Sequence, residues 1–165
     1  MPWAADEPQS LEEKVNLLRR FRGQFDLGQD FVYGIFSSDE AGVVGGSGLH
    51  TRHGEGAFEI GYWIRESRAG EGLGTEATGA LTRVAFELCD VDRVEIRTDP
   101  ANERSRAIPR RLGFVEEAVL RRRLGYPETR DVVIYSIFAD GFADSPAASA
   151  SFEAYDATGA KVWPR

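Results

Sequence analysis

The chain has 165 residues, 42% hydrophobic and 28% charged, with a formal net charge of −7. That length and balance fit one soluble globular domain with a real core, and the acidic balance argues against nonspecific nucleic-acid binding. No stretch approaches the roughly 20 apolar residues of a membrane span, and no signal-peptide pattern precedes the first predicted helix. One cysteine, Cys89, excludes an internal disulfide and suits a reducing cytoplasm. It ends an apolar helical stripe, so it is expected to pack rather than react. The expectation is a cytoplasmic protein with no nucleic-acid or membrane partner and no metal.

Ser10 and Glu13 have the spacing of a capping box, and Leu11, Val15, Leu18 and Phe25 then recur at helical spacing. Strands are predicted over 30–36 and 43–49, joined by a turn at 38–42, and a third over 58–64. A helix over 75–88 carries Ala77, Leu81, Val84, Ala85 and Leu88 on one face. A strand over 93–98 and a short helix over 102–112 follow. Paired strands are predicted over 114–121 and 131–138. Residues 141–150, rich in Ala, Ser and Asp, read as a linker. Residues 152–155 and 161–163 flank Asp156 to Gly159 as a small hairpin. The chain thus divides into a domain over 1–140 and an extension of linker plus hairpin over 141–165. The element order implies a mixed sheet, with strands 58–64 and 93–98 as a right-handed parallel crossover pair.

The segment 58–77 is the most informative. An apolar strand feeds a charged turn, then Gly70, Gly72 and Gly74, then the helix. Glycines permit close approach of a ligand, and a helix N-terminus offers amide donors and roughly half a positive charge, so this backbone suits a phosphate. Gly72-Leu73-Gly74-Thr75-Glu76-Ala77 also fits the G-x-G-x-x-A dinucleotide fingerprint. Against that reading, residues 65–71 separate strand from glycines, and the nearest suitable carboxylate, Asp99, lies beyond the roughly 20-residue spacing.

Together, Glu59-Ile60-Gly61-Tyr62-Trp63-Ile64, the Gly70 to Ala77 turn, Asn102-x-x-Ser105 and Arg111-Leu112-Gly113-Phe114 resemble the GNAT superfamily of N-acetyltransferases, in its RimJ/RimL-like branch. The resemblance covers about 2–138. It implies an α/β (α+β) fold: a mixed, mostly antiparallel sheet with a central parallel, splayed strand pair and helices on both faces. It also implies acetyl-CoA as cosubstrate, its pantetheine arm held in the splay. The implied cofactor contacts are Trp63, Ile64, Arg68, Ala69, Gly70, Gly72, Leu73, Gly74, Thr75, Asn102, Ser105, Arg106 and Arg111.

Ala69 and Glu71 stand where the family usually has Gln or Arg and, often, a basic residue. Both changes remove side-chain help for the pyrophosphate, which Arg68 is placed to offset. Seven arginines fall between Arg104 and Arg123. Of these, Arg104, Arg106, Arg110 and Arg111 are the natural partners of the 3′-phosphate. Many family members place a tyrosine acid where Pro109 stands here, and proline cannot donate to the Ser105 carbonyl. The resemblance makes Glu59 the acceptor-side base, and Ser105 the group that stabilises the thiolate or, alternatively, a helix cap. His50 and His53, just past a strand end, read as loop histidines beside the acceptor mouth.

An α-amine with a pKa of about 8 is roughly a tenth neutral at pH 7, whereas a lysine near 10.4 costs about 4.6 kcal/mol to deprotonate. One carboxylate therefore suits a protein N-terminal α-amine or a small-molecule amine as acceptor. Direct transfer in a ternary complex is one reading. A degenerate, non-catalytic acyl-CoA-binding module is the other, suggested by Ala69, Glu71 and Pro109. The family's first strand and helix precede the segment resembling 1–5, so the resemblance implies that they are lacking. The strand over 30–36 would then present an open edge, to be covered by the C-terminal hairpin or by a second copy in a homodimer.

Overall fold

The computed structural model describes residues 10–125 and 128–164. The segment 1–5 lies outside them. Helix α1 (Leu11–Asp26) begins at the predicted capping box: the Ser10 hydroxyl accepts from the Glu13 amide, and the Glu13 carboxylate accepts from the Ser10 amide. Strands β1 (Asp30–Phe36), β2 (Val43–His50) and β3 (Ala57–Ile64) form an antiparallel meander. Helix α2 (Leu73–Cys89) crosses to β4 (Arg93–Thr98), parallel to β3. Helix α3 (Glu103–Arg111), β5 (Val115–Leu124) and β6 (Arg130–Phe138) follow, and β6 pairs antiparallel with both β4 and β5. The sheet order is β1-β2-β3-β4-β6-β5.

Alternation sorts the faces. Leu49, Ile60, Val94, Ile96, Val133, Tyr135 and Ile137 point to one side and form the core with Ala85, Leu112 and Phe114. Helix α2 packs there through Gly74 against Ile64, and α3 through Ser105 against Tyr62. Helix α1 reaches the same side, where Phe25 meets Phe31 and Tyr33 edge-on. Helices were expected on both faces, but these contacts of α1, α2 and α3 converge on one. The physical reason lies in β2 to β4, whose other face offers Gly46, Gly48, His50, Glu59, Gly61, Arg93, Glu95 and Arg97, with little apolar surface to bury.

Three local expectations are corrected. The segment read as a linker is packed: after α4 (Ala139–Phe142), a 3-10 turn over Pro146–Ser149 buries Ala147 completely. Phe142 stacks on Phe86 of α2 at 4.6 Å, and the Ala147 amide donates to the Leu112 carbonyl. Small residues permit this close approach, so a composition suggesting freedom instead allows tight docking. The hairpin forms as β7 (Ala154–Tyr155) and β8 (Lys161–Trp163), but as a separate two-stranded sheet. It does not pair with β1, so it leaves that edge without a strand partner among the described residues. Cys89, expected to pack, is exposed at the end of α2.

Candidate active site

Strands β3 and β4 pair only between Ala57–Glu59 and Arg93–Glu95. Beyond Glu59 and Glu95 both strands continue, to Ile64 and Thr98, with no pairing between them. The sheet therefore opens as a fork whose inner edges are unspent backbone. The Thr98 hydroxyl, on one prong, is buried without a hydrogen-bond partner among the described residues.

The other prong ends in the glycine turn. Gly70 and Gly72 adopt φ of +90° and +88°, left-handed conformations that favour glycine, and Gly72 is the N-cap of α2. The Thr75 and Glu76 amides close on the Gly72 carbonyl at 2.9 and 3.0 Å. This leaves the Leu73 and Gly74 amides at the helix start without a backbone acceptor among the described residues. Arg68 and Glu71 pair with each other across this turn at 2.8–2.9 Å, holding the Glu71 carboxyl below its ordinary range. The charge of Arg68 is thus met within the loop.

At the root of the fork, one transverse row of polar residues crosses five strands. Asp30 pairs with His50, His50 with Glu59, Glu59 with Glu95, and Glu95 with Ser136. His50 Nδ1 lies 2.6 Å from Asp30 Oδ1, and His53 Nε2 lies 2.6 Å from Glu59 Oε2. Arg52 and Arg97 approach the same Glu59 carboxylate at 3.4 and 3.9 Å. Glu95 is held by Arg93 and Arg97 at 2.8 and 2.9 Å. Burial works against the Glu95 charge, but those hydrogen bonds outweigh it and keep the carboxyl below its ordinary range.

On the core side of the fork, the Asn102 side chain caps α3 by accepting from the Ser105 amide at 3.0 Å. The cap is therefore Asn102 rather than the Ser105 hydroxyl, which donates to Tyr62 Oη at 3.2 Å. Tyr62 in turn donates to the Ser105 carbonyl at 2.8 Å. Burial pushes the Tyr62 phenol up to about 12, so it keeps its proton.

A family model described as acetyltransferase (GNAT) domain matches residues 1–115. The chain belongs to the GNAT acetyltransferase family. YdaF of Bacillus subtilis is 42% identical over 80 residues, 48% of this chain and 44% of that protein. The [ribosomal protein uS5]-alanine N-acetyltransferase of Escherichia coli is 29% identical over 112 residues, 67% of this chain and 56% of that enzyme. In these two matches the chain spans about half the length of its relatives. Among solved structures, Mycobacterium smegmatis RimJ in complex with CoA-disulfide superposes with a TM-score of 0.75 at 27% identity, covering 84% of this chain and 67% of that one. These relatives place this GNAT chain in the RimJ/RimL-like branch.

Within this GNAT fold the sequence-derived residues fall into two groups. Trp63, Ile64, Ala69, Gly70, Gly72, Leu73, Gly74 and Thr75 follow one another along the β3 prong and into α2, and Asn102 and Ser105 meet that prong through Tyr62. The arginines separate. Arg106 is committed to the Tyr135 hydroxyl at 3.1 Å, the Pro100 carbonyl at 2.9 Å, and the Glu103 and Glu116 carboxylates. Arg110 pairs with Glu103 and Glu116 and lies over the Tyr135 ring. Of the four arginines expected to partner the 3′-phosphate, only Arg104 and Arg111 are exposed with no ion-pair partner among the described residues. Sequence reasoning missed Tyr62, Asp30 and Glu95. Counting back from the β1–β2 turn would have paired Asp30 with Leu49, because a register shift between Ile35 and Phe36 is what sets Asp30 opposite His50. The amide that Pro109 lacks, by contrast, called for a donor that nothing local supplies.

Among the described residues, no cluster of three or more His, Cys, Asp or Glu side chains suits a metal ion, and no helix is long and apolar enough to cross a membrane.

Proposed function

We propose that this chain transfers the acetyl group of acetyl-CoA directly to a primary amine, either a protein N-terminal α-amine or a small-molecule amine, in the cytoplasm. The fork carries this reading. A pantetheine arm is linear and amide-bearing, so it suits a slot between two unpaired strand edges, with the orphaned Thr98 hydroxyl as a further donor or acceptor. The pyrophosphate then falls at the amides of Leu73 and Gly74 and the positive end of α2. Arg104 and Arg111 are the cations available to the 3′-phosphate. The RimJ complex with CoA-disulfide supports the cosubstrate, and the uS5-alanine enzyme supports a protein α-amine as acceptor.

The chemistry follows from the two sides of the fork. The Glu59 carboxylate supplies the negative charge that draws in a cationic amine, and a water on that carboxylate is the first stop for its proton. The neutral nitrogen attacks the thioester carbonyl carbon, and the carbon–sulfur bond breaks. The Ser105 hydroxyl, turning from Tyr62 to the sulfur, stabilises the departing thiolate. The assay is CoA release from acetyl-CoA over a panel of peptides with free N-termini and small amines. Amine-dependent release supports transfer. CoA binding without release from any of them would leave the chain as an acyl-CoA-binding module.

A further inference from the structure

Resting on that acetyl-transfer reading, we propose that the Asp30–His50 pair is the terminal acceptor of the amine's proton. Asp30 Oδ1 lies 2.6 Å from His50 Nδ1, and the two side chains are only 19% and 13% exposed. A carboxylate at that distance takes the proton on Nδ1 as its hydrogen-bond donor. Nε2 is then left as an unprotonated lone pair, as in other carboxylate–imidazole pairs that accept protons. No described residue hydrogen-bonds to Nε2.

The glycines explain where that lone pair points. A Cβ on Gly48 would come within 3.1 Å of His50 Cε1, and one on Gly61 within 3.2 Å of Nε2. The imidazole therefore lies flat across β2 and β3 in space that side chains would otherwise fill. Gly61 is beyond Glu59, the last β3 residue paired to β4, so Nε2 sits where the fork opens. Two residues on, Trp63 covers Gly46 in the same way, and the strip continues along the prong.

Glu59, directly across from His50, has its charge met by His53, Arg52 and Arg97. It attracts and orients the amine. The charged groups around His50 are Asp30 from β1, Glu59 from β3, and Arg52 and His53 from the loop that follows β2. Taking a proton from an α-amine is roughly thirtyfold unfavourable for an ordinary imidazole but roughly five-thousandfold for an ordinary carboxylate.

In the step, the ammonium loses one proton to Nε2, giving a neutral amine and an imidazolium. The amine nitrogen bonds to the thioester carbon as the carbon–sulfur bond breaks, and its second proton goes to the thiolate. The products are the acetylated amine and CoA thiol, and His50 returns its proton to water.

The test compares wild type, His50→Gln and Asp30→Asn. His50→Gln is expected to lower kcat by about 10²–10⁴-fold with calorimetric CoA affinity unchanged, and to flatten the acid limb of the kcat/KM pH profile. Asp30→Asn, acting through the ring, should cost less. A folded His50→Gln variant with wild-type kcat and acid limb would overturn the assignment while leaving acetyl transfer standing. Wild-type protein that releases no CoA with any amine would overturn acetyl transfer and this inference together. Nitrogen-15 spectra give a readout independent of turnover: the neutral ring should carry its proton on Nδ1, and a proton on Nε2 would overturn the proposal.

Discussion

The Tyr62 hydroxyl donates to the Ser105 carbonyl, the acceptor that Pro109 leaves open by having no amide. An interior proline removes one helical hydrogen bond, and here a strand residue of the opposing prong replaces it. That bond ties α3 to β3 beside the fork and gives the Ser105 hydroxyl a resting partner. Tyr62→Phe should therefore cost about 1–3 kcal/mol of stability, because a partly buried carbonyl loses its donor. In a Pro109→Ala background the restored amide meets that carbonyl, so the same substitution should cost less. Denaturant unfolding of the four proteins measures this, and an equal cost in both backgrounds would sever the link between Tyr62 and Pro109.

Gly74→Val should abolish CoA binding. Its Cβ would lie 2.9 Å from Ile108 Cδ1 and 3.5 Å from Ile64 Cγ1, forcing the end of the β3 prong from α3. Gly72→Val should do the same for another reason, since a branched residue is strained at φ +88°. Titration calorimetry with CoA reads both, and unchanged affinity in a folded Gly74→Val variant would remove the phosphate site from this turn.

Three substitutions order the chemistry. Glu59→Gln should slow turnover with little change in CoA affinity. Ser105→Ala should cost about one hydrogen bond, roughly 0.5–1.5 kcal/mol in kcat. Cys89→Ala should leave kcat alone. Cys89 ends the 17-residue helix α2, about 25 Å from its N-terminus, and partial desolvation on its inner side raises its thiol rather than activating it. A Cys89→Ala variant that folds but loses turnover would point instead to an acyl-enzyme.

Glu95 makes stability depend on acid. Its folded-state carboxyl is held below the ordinary range, so its contribution is fully present above the unfolded value of about 4.3. That contribution is lost as pH falls below it, through the folded value. Glu95→Gln should cost about 1.5–3 kcal/mol at neutral pH, from hydrogen bonds to two arginines, and should flatten the acid limb of the stability curve. Thermal melts from pH 7 down to 3 check this, and parallel curves for variant and wild type would contradict it.

The sequence by itself determined the features whose causes are local. Ser10 and Glu13 meet in a capping box because they lie within one helical turn, and alternation in β3 and β4 decides which face is apolar. Gly70 and Gly72 mark the turn because left-handed backbone favours glycine there. Only the tertiary structure decided what depends on partners distant in the chain. Strand pairing at one register brings Asp30, His50, Glu59, Glu95 and Ser136 into one row, and no short window of sequence contains that register. Docking of 146–149 on α2 turned a low-complexity stretch into buried structure, because small side chains let backbones approach once a surface is there to meet them. The Tyr62 bond to Ser105 likewise exists only because the crossover lays α3 against β3.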